Sequence, residues 1–163
     1  MANRNRVTGV DHLIAKLNIE IKKIEGRTIR GLVRAAIMFI SDTERHMPKT
    51  PVDWGNLRQS RFIITNAGGT YRGAGASFEG PNASKIGTDH GTVMAKEMGQ
   101  IRAVPMPVVS MGFSAYYAWY VHEMVGDINW NRMLSGPKFF EASINRNKRR
   151  ALKLIAKEAR IPT

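Results

Sequence analysis

The amino-acid sequence predicts an α+β fold: a small antiparallel sheet packed by N-terminal helices and a long C-terminal helix, with a long glycine-rich loop. Three observations lead there. Apolar residues recur at helical spacing from Val10 to Ile40. Short runs of β-formers occupy the middle of the chain. A second helical period follows Pro137. Helices, then strands, then helices is the order of a chain whose helices cover one face of an antiparallel sheet.

Each element follows from local chemistry. Residues 1–9 are polar and expected to fray. Asp11 is a candidate N-cap. Val10, Leu13, Ile14, Leu17, Ile21 and Ile24 form a first helical stripe, which Gly26 interrupts or ends. Ile29, Leu32, Val33, Ala36, Ile37 and Ile40 form a second, with Arg30, Arg34 and Asp42 opposite. Pro48 and Pro51 stop that helix near His46. Asp53 and Asn56 suit the cap of one short helical turn around Leu57-Arg58.

Arg61-Phe62-Ile63-Ile64-Thr65 reads as a strand. Residues 67–92 hold glycines at 68, 69, 73, 75, 80, 87 and 91, and read as a long loop or extended hairpin. Val93 to Ala103 and Val108 to Gly112 are expected strands, separated by Pro105 and Pro107. Tyr116 to Met124 is a short helix with Tyr117, Tyr120, Val121 and Met124 on one face. Pro137 opens the last helix, whose stripe is Phe140, Ile144, Ala151, Leu152, Ile155 and Ala159.

The chain has 163 residues, the size of a single domain spanning 1–163. A hydrophobic fraction of 43% and a charged fraction of 23% are those of a globular chain. No cysteine is present, which excludes disulfides, thiolate zinc sites and cysteine nucleophiles. No apolar run approaches the roughly 18 residues of a membrane helix. The basic start is not followed by the apolar segment of a secretory signal. The formal net charge of +12 points to a polyanionic neighbour, which is nucleic acid, an acidic protein surface or a membrane face, and the plainer alternative is a solvated basic surface that confers solubility.

Motifs for chemistry are incomplete. His122-Glu123 begins the zinc motif H-E-x-x-H, but Gly126 stands where the second His belongs. Asp89-His90 has no identifiable nucleophile and sits in the glycine-rich stretch. Gly73-Ala74-Gly75 lacks the G-K-[ST] ending of a phosphate loop. Gly112-Phe113-Ser114 starts like a nucleophile elbow, but Tyr116 replaces the second glycine. No catalytic residue, metal or cofactor is expected. Neither a helix-turn-helix, a zinc finger nor an RNA-recognition signature is present.

Three segments stand out instead. They are Thr50-Pro51-Val52-Asp53-Trp54-Gly55-Asn56-Leu57-Arg58-Gln59-Ser60, Ala115-Tyr116-Tyr117-Ala118-Trp119-Tyr120-Val121-His122-Glu123 and Gly136-Pro137-Lys138-Phe139-Phe140-Glu141-Ala142-Ser143-Ile144. In this order they resemble the neck and tail-component family of tailed bacteriophages, the head–tail joining and tail-completion proteins. That family carries "P-V-D-T-G-x-L-R-x-S", "Y-A-x-Y-V-H/E-x-G" and "P-x-F-F/L-x-x-A" segments. Here Trp54 replaces the usual Thr or Ser, Met124-Val125 replaces the usual Gly, and the 67–92 stretch is longer.

The resemblance covers about residues 10 to 160 and implies a structural virion protein. It would form a ring of identical subunits around the DNA channel at the head–tail junction, assembled in the host cytoplasm. Its partners would be copies of itself and neighbouring connector, portal-proximal or tail proteins, with no membrane. Four aromatics in five positions, Tyr116 to Tyr120, cannot all point inward, which favours an interface. Candidate subunit or partner contacts are therefore Trp54, Tyr116, Trp119, Tyr120, His122 and Trp130. Candidate DNA or acidic-partner contacts are Lys148, Arg149, Arg150, Lys153 and Lys157. A loop as long as 67–92 is expected to be mobile in the monomer and to order against a neighbour, because ordering costs about 1–2 kcal/mol per residue. The alternative is a basic nucleic-acid-binding module.

Overall fold

A computed structural model describes residues 10–124, 126 and 129–160, so the expected frayed tail 1–9 lies outside the described residues. The elements are α1 (Val10–Arg45), α2 (Asn56–Gln59), β1 (Arg61–Thr65), β2 (Thr70–Arg72), α3 (Ala83–Arg102), β3 (Val109–Phe113), α4 (Ala118–Glu123) and α5 (Phe139–Ala159). The fold is α+β, with a three-stranded antiparallel sheet in the order β2-β1-β3. In the β1–β3 ladder Arg61 pairs with Phe113, Ile63 with Met111 and Thr65 with Val109.

Three expectations are corrected. First, the two N-terminal helices are one helix of 36 residues. Gly26 does not break it. A Cβ at Gly26 would meet nothing within 4 Å, so the residue sits on an open face and costs the helix only about 1 kcal/mol. The helix already includes Asp11, the expected cap, whose side chain lies outside the described ones.

Second, helices cover both faces of the sheet. All five β1 residues are buried, so side chains of both parities need a cover. Ile63 packs with Ala36 and Ile40 of α1 on one face, joined by Val109, Met111 and Phe140. Phe62 and Ile64 pack with Ile101, Met94 and Met98 of α3 on the other.

Third, residues 83–92 of the glycine-rich stretch and the strand expected at 93–103 belong to one helix, α3, while the stretch before it supplies β2 in a hairpin with β1. Ile86, His90, Met94 and Ile101 lie on its inner side at helical spacing, and that burial outweighs its glycines. Gly91 and Gly99 have open space around them, so they cost helix propensity without disturbing packing.

Helix α5 lies antiparallel along the second half of α1. Ser143 Oγ donates to the Phe39 carbonyl at 2.8 Å, and Arg146 Nη2 to Asp42 Oδ2 at 2.6 Å. At the far end Gly31 packs directly on the α5 backbone, where an added Cβ would lie 3.0 Å from Ile155 Cα. The first half of α1 has no such cover. Every side chain from His12 to Lys23 is exposed, so this part of the helix projects from the body.

Candidate functional site

The three sequence segments converge on one core. Leu57 of the first, Ala115 and Ala118 of the second and Phe139 of the third form a buried cluster with Ile86. Tyr117, Val121, Phe113, Phe140 and Phe78 pack around it. The Lys138 amide donates to the His122 carbonyl at 2.8 Å, which fixes the start of α5 against the end of α4. Phe139 makes edge-to-face contacts with Phe113 and His122.

Outside this cluster lies a cleft of about 440 Å³. Its apolar lining includes Val52, Trp54, Tyr116, Val121 and Trp130, and its charged lining is Asp53 and Glu79. Asn131 Nδ2 donates to Asp53 Oδ1 at 3.1 Å and ties two walls together. Gly80, at φ 82°, brings its backbone against the Trp54 indole, where an added Cβ would come within 3.0 Å of the ring. Lys85 Nζ stands 4.2 Å from the centre of the Tyr116 ring at the rim.

The candidate contact residues separate into groups. Trp54, Tyr116 and Trp130 share the cleft. Trp119 and Tyr120 lie outside its lining, on the outer side of α4, with Trp119 75% exposed. Tyr120 was expected on the buried face with Tyr117 and Val121. Ala118 is the buried residue of α4 and Val121 packs beside it, while Tyr120 faces solvent. His122 is a structural residue of the α4–α5 joint: its Nδ1 lies 2.8 Å from Glu123 Oε1. Glu123 also pairs with Lys138. Hydrogen bonds from Lys138 and His122 hold its carboxyl below the ordinary range.

Two residues in this region have roles that the sequence did not reveal. Asn56 was expected as a cap, but the cap position is Gly55, at φ 83°. Asn56 instead clamps the segment before α3. Its Nδ2 donates to the Glu79 carbonyl at 2.7 Å, and its Oδ1 accepts from the Glu79 amide at 2.9 Å. Phe78 packs on the core beside it. The expectation that residues 67–92 order only against a neighbour is therefore corrected: internal contacts hold them.

Glu44 is the second. Its carboxylate lies 2.9 Å from Arg58 Nε, 3.1 Å from Arg61 Nη1 and 2.8 Å from Arg132 Nη1. Arg132 also donates to the carbonyls of Glu44 and Thr50. The hub joins the end of α1 to α2, β1 and the loop before α5. Burial pushes the Arg61 guanidinium down to about 10, while Glu44 acts the other way. Only a contact map reveals Glu44, because Arg132 lies 88 residues away in sequence.

His90 and Ser114 also meet. Ser114 Oγ lies against His90 Nδ1 and 3.1 Å from the Ser60 carbonyl, and His90 Nε2 lies 2.8 Å from the Gly73 carbonyl. Both side chains are buried, and neither lines the cleft. The pair fastens α3 to β3 and to the turn after β2. Among the described residues no group of three His, Cys, Asp or Glu is placed to hold a metal ion. None of the described helices is long and apolar enough to cross a membrane.

On α5, Lys148, Arg149, Arg150, Lys153 and Lys157 are all exposed. Arg149, Lys153 and Lys157 follow at four-residue steps, with Arg150 beside them, so these four share one face. Lys148 lies about 100° around the helix from Arg149. The cationic face and the aromatic cleft are separate surfaces, with no lining residue of the cleft on α5. No protein family, curated protein or solved structure matches the chain.

Proposed function

We propose that the chain is a structural virion protein of a tailed bacteriophage, a subunit of an oligomeric ring around the DNA channel at the head–tail junction. One observation carries this reading. The segments that resemble the neck and tail-component family share one core cluster, and the side chains they leave over are exposed aromatics, two in the cleft and two on the outer side of α4. Trp54, Tyr116, Trp119 and Tyr120 are each at least half exposed, a grouping that favours a protein partner. The nearby polar hub and joints hold these aromatics on rigid elements. In this reading the subunit meets copies of itself and the neighbouring connector, portal-proximal or tail proteins, and it needs no cofactor.

Native mass spectrometry and negative-stain microscopy of the purified chain test the proposal. A single closed oligomer with a central opening is expected. A protein that stays monomeric at every reachable concentration would refute it.

The exposed row Arg149, Arg150, Lys153 and Lys157 favours a second reading, a basic nucleic-acid-binding module. A channel lining binds duplex DNA weakly, without sequence preference and with steep salt dependence. Retained preference for one sequence over another at raised salt would favour the module.

A further inference from the structure

We propose that the projecting half of α1 from one copy of the chain docks in the aromatic cleft of the next copy. The proposal rests on the ring reading and names the contact that would build it. Two of the exposed surfaces on the described part of the chain have opposite shapes. The first is convex. Leu13, Ile14, Leu17 and Ile21 form one stripe on α1, and Leu13 and Leu17 are 58% and 54% exposed. An amphipathic helix with its apolar stripe in water is not a finished structure. The second is concave, the cleft between Val52, Trp54, Tyr116 and Trp130.

Charge matches the two. The net charge is +12, so most surfaces of this chain repel a second copy. The cleft is less cationic than the rest: among the described residues its charged lining is Asp53 and Glu79, with Lys85 over the Tyr116 ring at the rim. At helical geometry Lys16 and Lys23 fall along one edge of the Leu13–Ile21 stripe, with Glu20 between them. Glu20 pairs with Lys23 at 2.6 Å, so Lys16 supplies the net positive charge of that edge. The arm thus presents an apolar ridge with a cationic edge, and the cleft an apolar floor with two carboxylates.

Geometry rules out docking within one subunit. The cleft lies beside the α1 end that carries Glu44, through Asp53, Asn131 and their neighbours Trp54 and Arg132. Leu13 lies about 46 Å from Glu44 along the axis of the same unbroken helix, at ~1.5 Å per residue. The arm of one copy can only enter the cleft of another. Each subunit then uses a different surface on each side, the head-to-tail contact that closes into rings.

The absence of cysteine makes the contact directly testable in the full chain. Leu17→Glu disables the arm and Trp54→Glu disables the cleft. Both positions are exposed, and circular dichroism checks that each variant folds. Each variant alone is expected to lose the oligomer, with association weakened about thirtyfold or more, as for the removal of a central contact. A mixture of the two is expected to give a one-to-one dimer, because one intact arm still meets one intact cleft. Leu17→Cys mixed with Trp54→Cys is expected to form a disulfide across the contact.

A wild-type chain that never assembles overturns the proposal. So does assembly that persists in either variant, or a mixture that stays monomeric. Leu17→Cys that cross-links to itself in preference to Trp54→Cys would show pairing of arms instead, and would also overturn it. The ring is separable from the docking. Open filaments that lose mass on Leu17→Glu would sink the closed ring and keep the docking. A closed ring unchanged by Leu17→Glu would sink the docking and keep the ring.

Discussion

Gly26→Ala and Gly31→Ala are the same substitution, five residues apart on one helix, and they are expected to act in opposite directions. In a helix interior alanine is favoured over glycine by about 1 kcal/mol. At Gly26 nothing lies within 4 Å of the added Cβ, so most of that gain is expected to appear as stability. At Gly31 the added Cβ would sit 3.0 Å from Ile155 Cα, 3.2 Å from Glu158 Cβ and 3.3 Å from the Ile155 carbonyl oxygen. Two of those atoms are backbone, so α5 itself must move away from α1. Overpacking of this kind costs about 1–3 kcal/mol, which exceeds the propensity gain. The expected net change is a gain of about 0.5–1 kcal/mol for Gly26→Ala. For Gly31→Ala it is a loss of about 1 kcal/mol. Urea unfolding followed by far-UV circular dichroism measures both, with unchanged slopes marking a simple stability effect. If Gly31→Ala stabilises as much as Gly26→Ala, then α5 does not seat on α1 at this distance. The antiparallel pairing of the two helices would then be wrong.

Three further predictions concern the polar joints. Glu44→Ala leaves Arg61 buried without its acid and is expected to cost about 3 kcal/mol, as when one partner of a buried ion pair is removed. Urea unfolding checks it, and in an Arg61→Met background the cost should fall by more than half. Asn56→Ala removes both bonds to Glu79 and is expected to cost about 1–2 kcal/mol. Hydrogen exchange read by mass spectrometry should quicken over residues 76–82 while the β1–β3 ladder stays protected. At Asp42, burial raises the carboxyl, but hydrogen bonds from Arg146, Asn147 and Ser143 together with the Arg146 charge outweigh it and hold the group below its ordinary 3.8. A lowered carboxyl stabilises the fold above its unfolded value, and that contribution disappears as pH falls through the folded one. Asp42→Asn should therefore be less stable than wild type at pH 7 and close to it in strong acid, by urea midpoints at each pH.

Local patterns of the sequence carried over well to the structure. Arg61–Thr65 and Val109–Phe113 form strands where β-formers cluster, and Phe139–Ala159 is the helix that its stripe announces. What misled was glycine. Gly26 marked a break that α1 does not have. Gly87 and Gly91 hid α3, because Ile101 is buried against β1, Ile86 against the Leu57–Phe139 core and His90 against Ser114, partners that no local window contains. The site was legible in its parts and not in its assembly. Trp54, Tyr116 and Trp130 were each visible as candidates, but only the fold places them in one cleft apart from Trp119 and Tyr120. Asn56 and Glu44 act through partners 23 and 88 residues distant, and no spacing rule reaches that far.

The continuity of α1 also makes it a ruler. With no break between its tip and Glu44, the number of residues in the helix sets how far the tip stands from the body and which way its stripe points. Removing seven exposed residues would draw the tip in by about 10 Å and turn it by only ~20°. Removing two would shorten it by about 3 Å and swing the stripe through roughly 200°, away from whatever it now faces. Length and phase are thus separately adjustable, and the spacing between neighbouring bodies in any assembly built on this arm would be counted out in helical turns.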